Sequence, residues 1–183
     1  TACDIGTQGS GWVVETGLVA TNAHVIAGHE ATHVLAPSGQ VLRARPVYVD
    51  ATNDIALLRV PGLDATPLAT NTGADRSRPV ALLGYPQNGP LTATAATAGA
   101  SRTVLSPDAY GRRTRSRVVV PLRGPVRPGE SGGPVVDRQG RVVAMIFGGT
   151  RDRVGGYAVP VDLVLDAAEE PLRRVPSGPC IVD

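Results

Sequence analysis

The chain contains no lysine: all 18 of its basic residues are arginine, set against 16 acidic residues for a formal charge of +2. So small a surplus, dispersed along the chain, excludes the electrostatic footprint of a nucleic-acid-binding protein, and the all-arginine bias fits a GC-rich genome. The one concentration, Arg112, Arg113, Arg115 and Arg117, lies among Gly111, Thr114 and Ser116 and reads as a solvated loop rather than a phosphate site. No apolar run approaches the roughly 20 residues that a membrane-spanning helix needs; the clean runs are short, such as residues 142–147. Internal repeats and low-complexity tracts are missing too, although residues 91–100 are rich in Ala and Thr. Only two cysteines occur, Cys3 and Cys180, near opposite ends. Because the termini of compact domains often lie close together, the pair is expected either to be bridged, which calls for an oxidising compartment, or to be two separate buried thiols. The chain opens at Thr1 without an initiator Met and is expected to be a fragment or a processed form.

What is present is turn-rich and globular: 42% hydrophobic and 19% charged residues with 22 Gly and 16 Pro exclude a disordered tail, a coiled coil and a collagen-like repeat. A length of 183 residues holds one compact domain or two intimately packed halves. Short runs rich in Val, Leu and Ala, separated by Gly, Pro, Asn and Asp, predict strands at 11–15, 18–21, 33–36, 41–49, 55–60, 80–85, 91–98, 117–122, 134–137, 142–147 and 156–160. That pattern argues for an all-β sandwich or barrel. One helix is expected, at about 162–174. The polar, turn-prone stretch 61–79 reads as the seam between an N-terminal half (1–70) and a C-terminal half (75–183) of a single domain, and 106–117 reads as a flexible, solvated loop.

Chemistry concentrates in three short blocks. In Pro128-Gly129-Glu130-Ser131-Gly132-Gly133-Pro134 a serine is set among glycines at the entrance to an apolar strand, where its hydroxyl can be exposed as a nucleophile. A serine hydroxyl needs a neighbouring base. His24, in Thr21-Asn22-Ala23-His24-Val25-Ile26, supplies one directly after a strand, and Asp54, in Asn53-Asp54-Ile55-Ala56-Leu57-Leu58, supplies a carboxylate to fix the imidazole tautomer. The backbone N–H groups of Gly129 and Ser131 are expected to converge on the developing oxyanion. A competing motif, His29-Glu30-Ala31-Thr32-His33, satisfies H-E-x-x-H and would make a zinc protease if it lay on a helix. Its context, Gly28 before it and a strand pattern ending in Pro37-Ser38-Gly39 after it, argues for a polar surface loop.

The order His24, Asp54, Ser131 and the residues around each resemble the trypsin-like serine proteases. Gly9-Ser10-Gly11-Trp12-Val13-Val14, Leu83-Gly84-Tyr85-Pro86 and Gly155-Gly156-Tyr157-Ala158-Val159-Pro160 extend the resemblance to bacterial members of the HtrA type, over about residues 9 to 165. The terminal cysteine pair and the missing PDZ domain look most like actinobacterial membrane-anchored periplasmic proteases linked to acid resistance. The resemblance implies two six-stranded antiparallel β-barrels with His24 and Asp54 from the first and Ser131 from the second. It also implies a peptide or protein substrate, no nucleic-acid partner, no metal or organic cofactor, a monomer, an extracytoplasmic location and a membrane anchor outside this segment. Ile146, Phe147 and Gly148 match the strand that pairs with substrate, Gly148 and Gly155 match small pocket-wall positions, and Pro125 stands at the pocket floor, so an apolar scissile side chain is expected, with Asp152 in a nearby loop able to reach inward. Glu130 replaces the Asp that pairs with a new N-terminus in vertebrate-type relatives, and a Cys3–Cys180 tie is expected to support the active form instead. The alternative is a latent or inactive trypsin-fold binding module.

Overall fold

The computed structural model describes residues 3, 7–73, 77–149 and 154–181. Strands β1 (Trp12–Glu15), β2 (Leu18–Thr21), β3 (Thr32–Leu35), β4 (Val41–Asp50) and β5 (Ile55–Arg59) form one antiparallel sheet in the order β1-β2-β5-β4-β3. A second sheet holds β6 (Arg78–Gly84), β7 (Thr92–Ala98), β8 (Arg102–Pro107), β9 (Thr114–Arg123), β10 (Pro134–Val136), β11 (Val142–Gly149) and β12 (Gly156–Pro160), in the order β12-β11-β10-β6-β7-β9-β8. Pairing of β12 with β9 closes six of these strands into a ring and leaves β8 as an arm on β9. The all-β, two-barrel architecture with a C-terminal helix is therefore as expected. The second half has its six-stranded ring, and the first shows five strands among the described residues.

The two halves share a core. Trp12, Leu18 and Leu57 of the first sheet pack with Val142, Met145 and Val159 of the second and with Val161 and Val164 of helix α2 (Val161–Glu169). Strand β5 is buried on both faces, which is why Ile55-Ala56-Leu57-Leu58 reads as an unbroken apolar run rather than an alternation. Burial of each such side chain contributes roughly 1.5–3 kcal/mol.

Helix α2 is shorter than its expected span of 162–174. Pro171 explains this: its ring disfavours helical geometry in the residue before it, and Glu170 is extended at φ −66°, ψ 155°. The chain beyond becomes a strap, with Arg173 N–H donating to Val47 O and Val175 N–H to Pro46 O along β4, before a disulfide joins Cys180 to Cys3.

A second departure is the segment 106–117, which is not a flexible solvated loop. Ser106 and Pro107 end β8 and Thr114–Arg117 begin β9, so the segment is the tip of a hairpin. The Asp108 carboxylate closes the turn by accepting from the N–H groups of Tyr110 and Arg112. Ala109 and Tyr110 are buried against Ala23 and Ala27, and Ala109 N–H donates to Ala51 O of the opposite half at 2.8 Å.

Candidate active site

His24 sits on α1 (Ala23–Ile26), a single helical turn after β2 that is too short to leave a helical periodicity in the sequence. Asp54 heads β5 after a tight turn in which the Asp50 carboxylate accepts from Thr52 N–H, Asn53 N–H and Asn53 Nδ2. That turn places Asp54 at φ +60°, a left-handed conformation that Asp tolerates better than most residues. Three bonds then lock the two segments together. Asn22 Nδ2 donates to Asp54 O at 2.8 Å, His24 N–H donates to Asp54 Oδ1 at 2.9 Å, and His24 Nδ1 lies 2.6 Å from Asp54 Oδ2. A carboxylate accepts, so Nδ1 donates to Asp54 and Nε2 is left as the ring's acceptor. Asp54 is 3% exposed, which keeps its charge directed at the ring.

Ser131 lies in a loop whose main chain is fixed from several directions. Ser10 N–H donates to Ser131 O at 2.7 Å, Gly132 N–H to Ile146 O at 2.7 Å, and Ile146 N–H to Gly133 O at 2.9 Å. Gly132 is at φ +85°, and a Cβ there would collide with Ser10 O and Thr21 Oγ1. A Cβ on Gly9 would meet both Val25 and Ser131 O, which sets the serine loop against the end of α1. Gln87 N–H donates to Pro128 O at 2.8 Å. The N–H of Gly129 therefore points the other way, because the two dipoles of a trans peptide are antiparallel. The N–H groups of Gly129 and Ser131 have no protein acceptor among the described residues, nor does the Ser131 hydroxyl bond to His24. Such contacts are often open in an unliganded site and close on substrate.

Of the expected substrate strand, Ile146 is fully buried and both of its main-chain groups bond to the serine loop. Phe147 and Gly148 are partly exposed, and a Cβ on Gly148 would meet nothing within 4 Å. A Cβ on Gly155 would press on Leu122 O at 2.8 Å. Gly156 matters as much: a Cβ there would strike Gly148 O and reach Val126 Cγ2 at 2.8 Å. Pro125 is exposed, and Asp152 lies outside the described residues.

Arg117 departs from the solvated reading of the arginine group. It is 7% exposed, its guanidinium lies 4.0 Å from the centre of the Phe147 ring, and Nη1 reaches Thr52 O at 3.5 Å. Burial weighs against its charge and lowers its pKa, while the carboxylates of Asp54, Asp50 and Asp108 act to restore it. Neither Arg117 nor the hydrogen-bonded role of Ser10 was legible in the sequence; Ser10 had appeared only as part of a matching block.

The zinc reading of His29-Glu30-x-x-His33 is not supported by the geometry. His33 lies on β3, His29 in the loop before it with Nε2 at 2.7 Å from Thr7 Oγ1, and no helix presents them on one face. Among the described residues no group of three His, Cys, Asp or Glu side chains is placed to hold a metal. His29 borders an open recess of about 520 Å³ rimmed by Arg43, Arg45 and Arg174, which contains none of His24, Asp54 or Ser131.

The comparisons with known proteins agree with this geometry. The model of the trypsin-like peptidase domain matches residues 9–145. The serine protease Rv3671c of Mycobacterium tuberculosis is 37% identical over 156 residues, covering 82% of this chain and 38% of that protein. A probable periplasmic serine endoprotease DegP-like of Halomonas elongata is 32% identical over 176 residues, covering 88% of this chain and 34% of that one. The crystal structure of the Rv3671c protease in its active form superposes with a TM-score of 0.90 at 33% identity, covering 98% of this chain and 81% of that chain. The inactive form of the same protease gives 0.76 at 34% identity, covering 87% and 81%. This chain belongs to the trypsin-like peptidase domain family. It spans little more than a third of the length of these curated relatives.

Proposed function

We propose that this chain is a serine endopeptidase domain that cleaves peptide bonds through an acyl-enzyme on Ser131. His24 Nε2 takes the hydroxyl proton as Ser131 Oγ bonds to the scissile carbonyl carbon, then gives that proton to the leaving amine as the C–N bond breaks. In the second half water loses a proton to His24 and bonds to the acyl carbon, and Ser131 leaves with its proton restored. Asp54 holds the imidazole and stabilises its charged form, and the N–H groups of Gly129 and Ser131 receive the oxyanion. The single observation that carries this reading is the 2.6 Å contact between His24 Nδ1 and Asp54 Oδ2, which leaves Nε2 as acceptor. The higher TM-score to the active than to the inactive Rv3671c protease supports a working arrangement.

The scissile side chain is apolar, received by the open space at Gly148 and the Val126 wall beside Gly156. The domain acts as a monomer on peptide or protein substrates, outside the cytoplasm, as part of a larger membrane-anchored protein that serves in acid resistance. The Cys3–Cys180 bond, of a kind rare outside oxidising compartments, and the periplasmic name of the Halomonas relative support the location. Among the described residues no helix is long and apolar enough to cross a membrane.

Intact-mass analysis after treatment with a fluorophosphonate tests the chemistry. A single adduct on the native chain, absent from Ser131→Ala and unaffected by chelator, is expected. An unlabelled native chain would overturn the reading and favour a latent module. Survival at low external pH that is the same in a deletion strain as in the parent would remove the acid-resistance role, and equal rescue of a sensitive deletion strain by Ser131→Ala would separate that role from the peptidase chemistry.

A further inference from the structure

Ser10 has no place in the chemistry above, yet among the described residues no other side chain from outside the serine loop bonds to its main chain. It is 6% exposed. Its hydroxyl donates to Gly129 O at 2.7 Å across 119 residues of sequence and accepts from Tyr85 N–H at 3.0 Å. Its own N–H donates to Ser131 O at 2.7 Å, and its carbonyl accepts from Thr21 Oγ1 at 2.8 Å. One residue thus grips the carbonyls on both sides of Glu130 and anchors them to β2 and to the turn after β6.

The consequence follows from peptide geometry. The carbonyl and N–H of a trans peptide point in opposite directions, so a hole built from main-chain N–H groups exists only while the carbonyls of that loop are held away from it. Pro128 O is held by Gln87 N–H, at the head of two left-handed residues, Gln87 at φ +52° and Asn88 at φ +61°. Gly129 O is held by the Ser10 hydroxyl. Gly129 itself is at φ +92°, a region open to glycine and therefore easily left as well as entered. Without a partner at Gly129 O, the two peptides flanking Gly129 can rotate together and bring a carbonyl into the hole. The neighbourhood also limits what can replace the hydroxyl, since a Cβ on Gly84 would already lie 3.0 Å from Ser10 Oγ and 3.1 Å from Glu130 Cα.

We propose that Ser10 is a positioning residue for the oxyanion site: its hydroxyl, shared between Gly129 O and Tyr85 N–H, keeps the Gly129 and Ser131 N–H groups directed at the reacting carbonyl. This rests on the serine-peptidase reading. It assigns to the first half of the molecule a hold on the second half's nucleophile loop that is separate from His24 and Asp54.

The test compares the native chain with Ser10→Ala and with Ser10→Cys, whose thiol is larger and a weaker donor in the same place. Removing an oxyanion donor outright costs about 100- to 1000-fold in kcat; removing its support is expected to cost about 10- to 100-fold, with KM within about twofold. The fluorophosphonate labelling rate of Ser131 should fall in parallel, and a peptide aldehyde, whose adduct places an oxyanion in the hole, should bind more weakly by a similar factor. Binding of a product-like peptide should be unchanged, which separates misplacement of the hole from general damage. Asp137→Asn, remote from the site, serves as the control for lost stability. Ser10→Cys should fall between native and Ser10→Ala, and if the alanine variant does not fold, the cysteine variant carries the test alone. A native chain that labels and a Ser10 variant that labels at the same rate would overturn this inference and leave the serine-peptidase reading standing; a native chain that does not label removes both.

Discussion

The two sides of the candidate site are built differently. On the His24–Asp54 side, segments 22–24 and 50–54 are joined by side-chain bonds: Asn22 to Asp54 O, Asp54 to the backbone N–H and the ring Nδ1 of His24, and Asp50 to its own turn. On the Ser131 side the bonds are made to the main chain, from Ser10, Gln87 and Ile146 in distant elements and from Glu130 and Gly133 within the loop itself. The lesson is that a His–Asp pair can be fixed by direct side-chain bonds between the two segments that carry it. A site made of backbone donors needs outside partners to choose among the conformations that its glycines allow.

That contrast can be broken in order of effect. Asp54→Asn should lower kcat by about four orders of magnitude while the fold survives, because an amide no longer enforces the Nδ1–H tautomer. Steady-state peptide hydrolysis beside a thermal melt checks this, and a loss of activity explained by unfolding would contradict it. Next comes the strap. Replacing Cys3 and Cys180 by Ser opens a link spanning 177 residues and should cost about 3–5 kcal/mol in urea unfolding. Gly28, just after α1, is so close to both sulfurs that a Cβ there would overlap Cys3 Sγ, so the loss should be felt first on the His24 side. Reductant should reproduce the effect in the native chain and do nothing further to the double variant.

Smaller effects sharpen the comparison away from the site. Asp137 accepts from Gln139 N–H, Arg141 N–H, Arg141 Nε and Asn71 Nδ2, which ties the crossing segment to the β10–β11 turn. Burial works to raise its pKa, but these donors prevail and hold it far below the usual carboxylate range. Its contribution is therefore complete above the ordinary value near 4 and is lost as pH falls through the folded value. Asp137→Asn should cost about 1–2 kcal/mol at neutral pH with kcat unchanged, and the gap to the native chain should narrow below about pH 4. Last, burial lowers the pKa of His29. Its neutral form belongs to the folded state, so stability is complete above about pH 6.5 and declines as pH falls towards the folded value. His29→Gln should flatten that slope, which for one proton cannot exceed about 1.4 kcal/mol per pH unit. An unchanged slope would locate the pH dependence elsewhere.

Much of the fold was legible because strand signals are local. Residues 18–21 and 156–160 form strands at the expected bounds, and 41–49, 55–60 and 142–147 differ by a residue or two at an end. The overlong helix failed on one overlooked rule, the effect of Pro171 on Glu170. The 106–117 hairpin failed for a deeper reason: Arg112, Arg113 and Arg115 are exposed as their sequence suggests, but Ala109 and Tyr110 are buried against the opposite half of the molecule and Arg117 is enclosed between Thr52 of that half and Phe147. No local pattern reports that.

By itself the sequence determined the strand-rich architecture, the family, and the three blocks that hold His24, Asp54 and Ser131, because periodicity, turn residues and short motifs are properties of neighbours along the chain. Only the tertiary structure decided that Ile146 serves the nucleophile loop, that Arg117 is enclosed beneath Phe147, and that Ser10 grips Gly129 and Ser131. These depend on which groups meet once two sheets have packed together, and the hydrogen-bonding groups of the backbone are the same at every residue but proline, so their pairing leaves little mark in the sequence.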